Sequence, residues 1–166
     1  MRGGLTGKAA VMGLLDRHGK DGVTQFRAFP VGGRKKHDLQ PKIREHVEAG
    51  ATLHTDNHWS YQGLQHEYVH NVVDHAEKYV DGQVHTNGCE NFWSLLKRGI
   101  SGTYVSVEPF HLFRYLDEQT FRYNNRKEMN DGDRFILALS QITDKRLTYQ
   151  HLTGKDEMGR SPAVIN

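Results

Sequence analysis

Two carboxylates and a lysine set the chemical question. Asp56 closes a short β-prone run, Ala51–Asp56 (ATLHTD), Glu90 stands thirty-four positions later near the start of a helical pattern, and Lys97 follows seven residues on. Seven residues on a helix are close to two turns, so Glu90 and Lys97 share a face and a carboxylate and an ammonium line one groove. Carboxylate oxygens suit Mg²⁺ or Mn²⁺. Two such ions stabilise the attacking and leaving oxygens of an in-line phosphoryl displacement, while Lys97 holds a phosphate as a point charge. The same residues also read as a turn aspartate, an acid favoured at a helix N-terminus and a base favoured at a C-terminus. Spacing alone leaves both readings open.

The elements that must position these residues follow from periodicity. Ala9–Asp16 (AAVMGLLD) is an apolar run closed by His18-Gly19, and Val23–Val31 (VTQFRAFPV) alternates in part, which predicts a β-hairpin. Leu39, Ile43 and Val47 recur every four residues among charged neighbours, and Gly50 follows as a stop, so an amphipathic helix of about three turns is expected. Ala51–Asp56 is a further strand, Asn57–Tyr61 opens a brief helix, and Tyr68–Val73 is another strand. From Asn87 the pattern turns helical up to Gly99; Pro109 starts a second helix and Asp133–Leu139 a third. The order describes a mixed α/β domain over residues 1–143 with helices gathered toward the C-terminus, and residues 144–166 form a tail of weak periodicity.

Composition narrows the class. With 166 residues, 36% of them hydrophobic, the chain is the size of one globular domain with one core. It has neither a membrane-length apolar run nor a secretory leader, which predicts a cytoplasmic protein with no membrane partner. The single cysteine, Cys89, excludes a disulfide framework and a four-cysteine zinc ribbon, so any metal must rest on carboxylates or histidines. Eleven histidines are scattered without a repeated interval, which makes a histidine-based metal hydrolase a weak third reading. Basic residues gather at Arg34–Lys36, at Lys97-Arg98 and from Arg122 through Arg126 to Lys127, where phosphate contacts would concentrate.

The run from His85 through Asn87, Glu90, Trp93, Lys97 and Arg98 to Ile100 (HTNGCENFWSLLKRGI), followed by Ser101–Tyr104 (SGTY), closely resembles the signature of ISXO-like insertion-sequence transposases. Downstream, His111–Glu118 and Phe121–Arg126 (FRYNNR) look like the same family's arginine-rich helix. Upstream, Gly50–Asp56 with Trp59, Tyr61 and Leu64 is similar to its segment around the second catalytic aspartate. The resemblance covers roughly Gly7–Leu139. It implies an RNase H-like mixed sheet flanked by helices, and a DDE-type enzyme that cuts DNA at transposon ends and joins the freed 3′ hydroxyl to target DNA with two Mg²⁺ or Mn²⁺ ions. By motif position Asp56 is the second acid, Glu90 the third and Lys97 the downstream lysine; Asn87, one turn from Glu90, remains an alternative third element. Lys97, Arg98, Trp59, Tyr61, Arg122 and Arg126 are the expected DNA contacts. A homo-oligomer on DNA is the expected assembly.

One departure qualifies this. Family members look as though they carry the first aspartate in a strand of the form DETYIGG, followed by a basic glycine-rich linker, and Met1 falls inside that linker. The central first strand and the first catalytic aspartate are therefore expected to be missing, and Asp16 matches only the far end of the second strand. Enzymatic activity is left open. The rival is a catalytically inactive remnant that binds DNA or oligomerises. Among the aromatics, Trp93 is expected as a core anchor, Trp59 and Tyr61 as DNA contacts, and Tyr104 as either.

Overall fold

The computed structural model describes residues 9–17, 22–73 and 87–153. Four strands and five helices appear among them: β1 (Ala10–Asp16), β2 (Gln25–Val31), α1 (Lys36–His46), β3 (Thr52–Thr55), β4 (Val69–Val72), α2 (Asn87–Gly99), α3 (Leu112–Asn124), α4 (Asp131–Ser140) and α5 (Tyr149–Thr153). The fold is mixed α/β, as the periodicity predicts. The strands form two separate two-stranded sheets, β1 with β2 and β3 with β4. The residues group into two compact units, Met1–Leu15 with Arg27–Leu95 and Asp16–Phe26 with Leu96–Asn166.

In the first unit α1 organises the core. Asp38, in its first turn, accepts the Lys35 backbone N–H at 3.1 Å and satisfies one of the donors a helix start leaves open. Leu39 and Ile43, one turn apart, are buried with Met12, Leu64 and Tyr68, and Leu14, Phe29, Val31 and Leu53 pack around them. Both sheets therefore send apolar side chains to the same helix. Each fully buried aliphatic side chain contributes about 1.5–3 kcal/mol, which outweighs the presence of Pro41 inside α1. Pro30, in β2, sits in a two-stranded ladder, the edge environment that tolerates a missing N–H.

Strands β3 and β4 run parallel, with Thr52 opposite Val69 and Thr55 opposite Val72. Parallel neighbours need a crossover, and residues 56–68 supply it with two 3₁₀ turns, Trp59–Tyr61 and Leu64–His66. The second turn has no counterpart in the periodicity. Gly50, at φ 83°, turns the chain from α1 into β3, because only glycine takes that conformation without strain. Arg44 on α1 grips Glu67 at the end of the crossover through two hydrogen bonds of 2.8 and 2.7 Å.

In the second unit α3 buries Leu112, Leu116 and Tyr123. The Tyr123 ring meets Phe26 edge to face, centroids 5.6 Å apart. The Arg126 guanidinium lies 3.8 Å from the Tyr123 ring centroid and donates to the Tyr123 carbonyl at 2.5 Å, closing the helix end. Pro109 starts a 3₁₀ turn that leads into α3, as expected of a proline at a helix start.

Helix α2 ends at Gly99, as the pattern predicts, with the glycine's backbone still right-handed at φ −60°, ψ −50°; the chain continues into a π-helical turn, Ile100–Tyr104, that ends at Val105 with φ 62°. That turn has no counterpart in the periodicity. The segment from Asp144 also contains α5, a single turn too short to show periodicity. Residues 154–166 lie outside the described residues, as does the His85 end of the signature.

Candidate functional site

Asp56 follows β3 directly and is exposed. Its Oδ1 accepts the His58 backbone N–H at 3.3 Å, the short-range bond with which an aspartate shapes a turn. The Thr55 hydroxyl donates to the Asp56 carbonyl at 2.9 Å. His58 Nδ1 in turn accepts the Ser60 N–H at 3.3 Å and so caps the Trp59–Tyr61 turn.

Behind this loop stands Gln40, only 2% exposed. Its amide nitrogen donates to the carbonyls of Ser60 at 2.9 Å and Gln62 at 3.0 Å, and its oxygen accepts from Arg44 at 3.1 Å. The fully buried Ser60 hydroxyl donates to the Arg34 carbonyl. A buried amide with every group satisfied fixes a loop far more tightly than an apolar side chain of that size, since an unpaired buried carbonyl costs about 1–3 kcal/mol. Helix α1 thereby holds the crossover that begins at Asp56. Sequence periodicity places Gln40 on the helix but carries no signal for this role.

The structure separates the two aromatic residues expected near the site. Trp59 is 54% exposed. Tyr61 packs against the core of the first unit, and burial, then the negative charge of Asp56, pushes its hydroxyl above the usual tyrosine range.

Glu90 lies exposed in the first turn of α2, which starts at Asn87. The turns that follow are anchored by Phe92, fully buried, and Leu96, one turn later. Trp93 meets Phe92 edge to face at 5.1 Å but is only partly buried, so Phe92 rather than Trp93 is the deeper anchor. Lys97 and Arg98 are exposed in the last turn. The uninterrupted helix from Glu90 to Lys97 preserves the two-turn spacing.

Arg122 and Arg126 are exposed on the second unit. Arg126 is committed to the end of α3 as described. Arg122 Nε donates to Glu118 Oε1 at 3.0 Å, one turn away, and the Tyr104 hydroxyl donates to Glu118 Oε2 at 2.5 Å. The Glu118–Arg122 spacing of four residues was visible in the sequence; the partner Tyr104 was not. That bond, followed by burial, raises the Tyr104 hydroxyl above its ordinary range.

Among the described residues no group of three histidine, cysteine, aspartate or glutamate side chains converges as a metal cluster. No described helix is long and apolar enough to cross a membrane.

The signature residues from Asn87 lie on α2 and Asp56 follows β3 in a mixed α/β architecture. The profile of the ISXO2-like transposase domain matches residues 1–124, and the chain belongs to that family. No curated protein and no solved structure matches it.

Proposed function

We propose that the chain is a catalytic-core portion of an insertion-sequence transposase, acting in the cutting and joining of DNA strands with divalent metal. The observation that carries this reading is the placement of two exposed carboxylates: Asp56 at the end of β3 and Glu90 in the first turn of α2, within the family match. Asp56 takes the part of the second acid and Glu90 the third, with Asn87 one turn away as the alternative. Both acids offer hard oxygen donors of the kind Mg²⁺ and Mn²⁺ prefer. Mg²⁺ needs only one or two protein carboxylates when water and substrate phosphates complete its shell. When bound, such ions supply the positive charge that offsets the attacking and leaving oxygens of a phosphodiester. Lys97 and Arg98 bind backbone phosphate, and exposed Trp59 borders the strand beside Asp56.

The sheet arrangement supports an RNase H-like reading. Strands β1–β2 and parallel β3–β4 are two ladders packed on the same helix, and β1 and β3 each keep an outer edge with no described strand beside it.

A second reading is a catalytically inactive remnant that binds DNA or oligomerises. Strand cleavage and joining on a transposon-end duplex with Mg²⁺ or Mn²⁺ separates the two. On the catalytic reading product forms and disappears in Asp56→Ala and in Glu90→Gln. Product that survives Asp56→Ala would overturn the assignment of Asp56, and DNA binding without product in the native chain would establish the remnant.

A further inference from the structure

We propose that a groove in the second unit seats a single unpaired nucleobase, with Arg122 on the adjoining phosphate. The proposal rests on the reading of the chain as a DNA-acting protein and adds a site to it. The groove has a volume of about 270 Å³. That falls just under the roughly 300–1,000 Å³ of pockets for drug-sized ligands, so it suits one planar ring system and not a peptide or a duplex.

Its construction is specific. The apolar floor is made by Leu96 and Ile100 from the end of α2 and the π-helical turn. That turn carries Tyr104 to α3, where its ring meets Tyr115 at 4.6 Å and 71°. The hydroxyl bond to Glu118 then fixes the ring, so the aromatic wall is rigid before any ligand arrives. A preformed aromatic wall is what base stacking rewards, because every base has a flat apolar face.

The polar rim matches the other two parts of a nucleotide. The side chains of Gln119 and Thr103 line the groove and make no hydrogen bond among the described residues. An amide offers a donor and an acceptor side by side, the complement of a base edge. Both oxygens of Glu118 are occupied, one by Tyr104 and one by Arg122 Nε. The Arg122 Nη groups make no hydrogen bond among the described residues, though Asp131 lies within reach of the Arg122 charge, and the outer edge of this oriented guanidinium is where phosphate would bind. Lys97 and Arg98 are exposed in the last turn of α2 but do not line the groove, so Arg122 is its cation.

The test uses the full chain and a transposon-end duplex with a short single-stranded overhang carrying 2-aminopurine at one position at a time. Emission reports the base, and anisotropy of a distant dye reports binding. The expected result is an emission change at one overhang position that is lost in Tyr115→Ala and in Gln119→Leu, with roughly tenfold weaker binding for Tyr115→Ala. Gln119→Leu keeps helix propensity and removes only the amide, so it decides the matter if Tyr115→Ala loses its fold by circular dichroism. Binding with no emission change at any position overturns the nucleobase seat alone, as does a change that persists in Gln119→Leu. Absence of binding overturns the DNA-acting reading and the seat with it.

Discussion

The side-chain amide of Asn124 closes on both backbone groups of Phe26, ninety-eight residues earlier: the Phe26 N–H donates to Oδ1 at 2.7 Å, and Nδ2 donates to the Phe26 carbonyl at 2.9 Å. An amide used this way imitates one residue of a neighbouring strand and ties the start of β2 to the end of α3. Asn124→Ala leaves a donor and an acceptor of a fully buried residue unsatisfied and should cost about 1–3 kcal/mol. Asn124→Asp should cost at least as much, since a carboxylate has no donor for the carbonyl. Denaturant unfolding of the three proteins checks both.

Gln40→Leu should be worse than its size suggests. It keeps the buried volume but strips the carbonyls of Ser60 and Gln62 of their donor, and a loss of about 1–3 kcal/mol is expected. Amide hydrogen exchange should rise over residues 58–62 before it rises in α1. Uniform exchange across the first unit would show that Gln40 serves the core and not the loop.

His46 gives the first unit a pH dependence of known sign. Its ring stacks on Phe29 at 4.6 Å, and burial holds its pKa below the ordinary value of 6.5, with Glu45 pulling the other way and Arg27 and Lys42 adding to the burial effect. A depressed folded pKa means the unfolded chain binds the proton first, so stability is full above about pH 6.5 and falls as pH drops toward the folded value. Melting curves between pH 7.5 and roughly 5 should show this slope, and His46→Gln should flatten it.

Helix α4 predicts self-association. Its start is well capped, with Asn130 accepting the Asp133 N–H at 3.1 Å and Asp133 accepting the Asn130 N–H at 3.0 Å. Yet Phe135, Ile136 and Leu139 are exposed, Phe135 to 65%. Clustered apolar side chains on one helix face mark a contact surface. Sedimentation velocity should show association at tens of micromolar that Phe135→Lys with Leu139→Lys abolishes without loss of helix signal.

Local pattern carried the elements well and the joints poorly. Leu39 and Ile43 announce α1 because a buried stripe must repeat near every fourth residue, and the ATLHTD run announces β3 for the matching reason in strands. Asp56 and Glu90 were legible as candidates because strand ends and helix starts are where side chains reach solvent on rigid supports. Gln40 and Asn124 were not. Each acts through a partner set by tertiary contact, and a polar residue on a helix has the same appearance in sequence whether it faces water or a buried carbonyl.

Val105 has a final consequence. A β-branched residue at φ 62°, ψ −51° holds strain of order 1–3 kcal/mol, and at 80% exposure it gains little from packing in return. The chain between α2 and α3 is thus spring-loaded at one residue. Val105→Gly would remove that cost, because glycine takes a positive φ freely, and should leave the helices on either side with their hydrogen bonds.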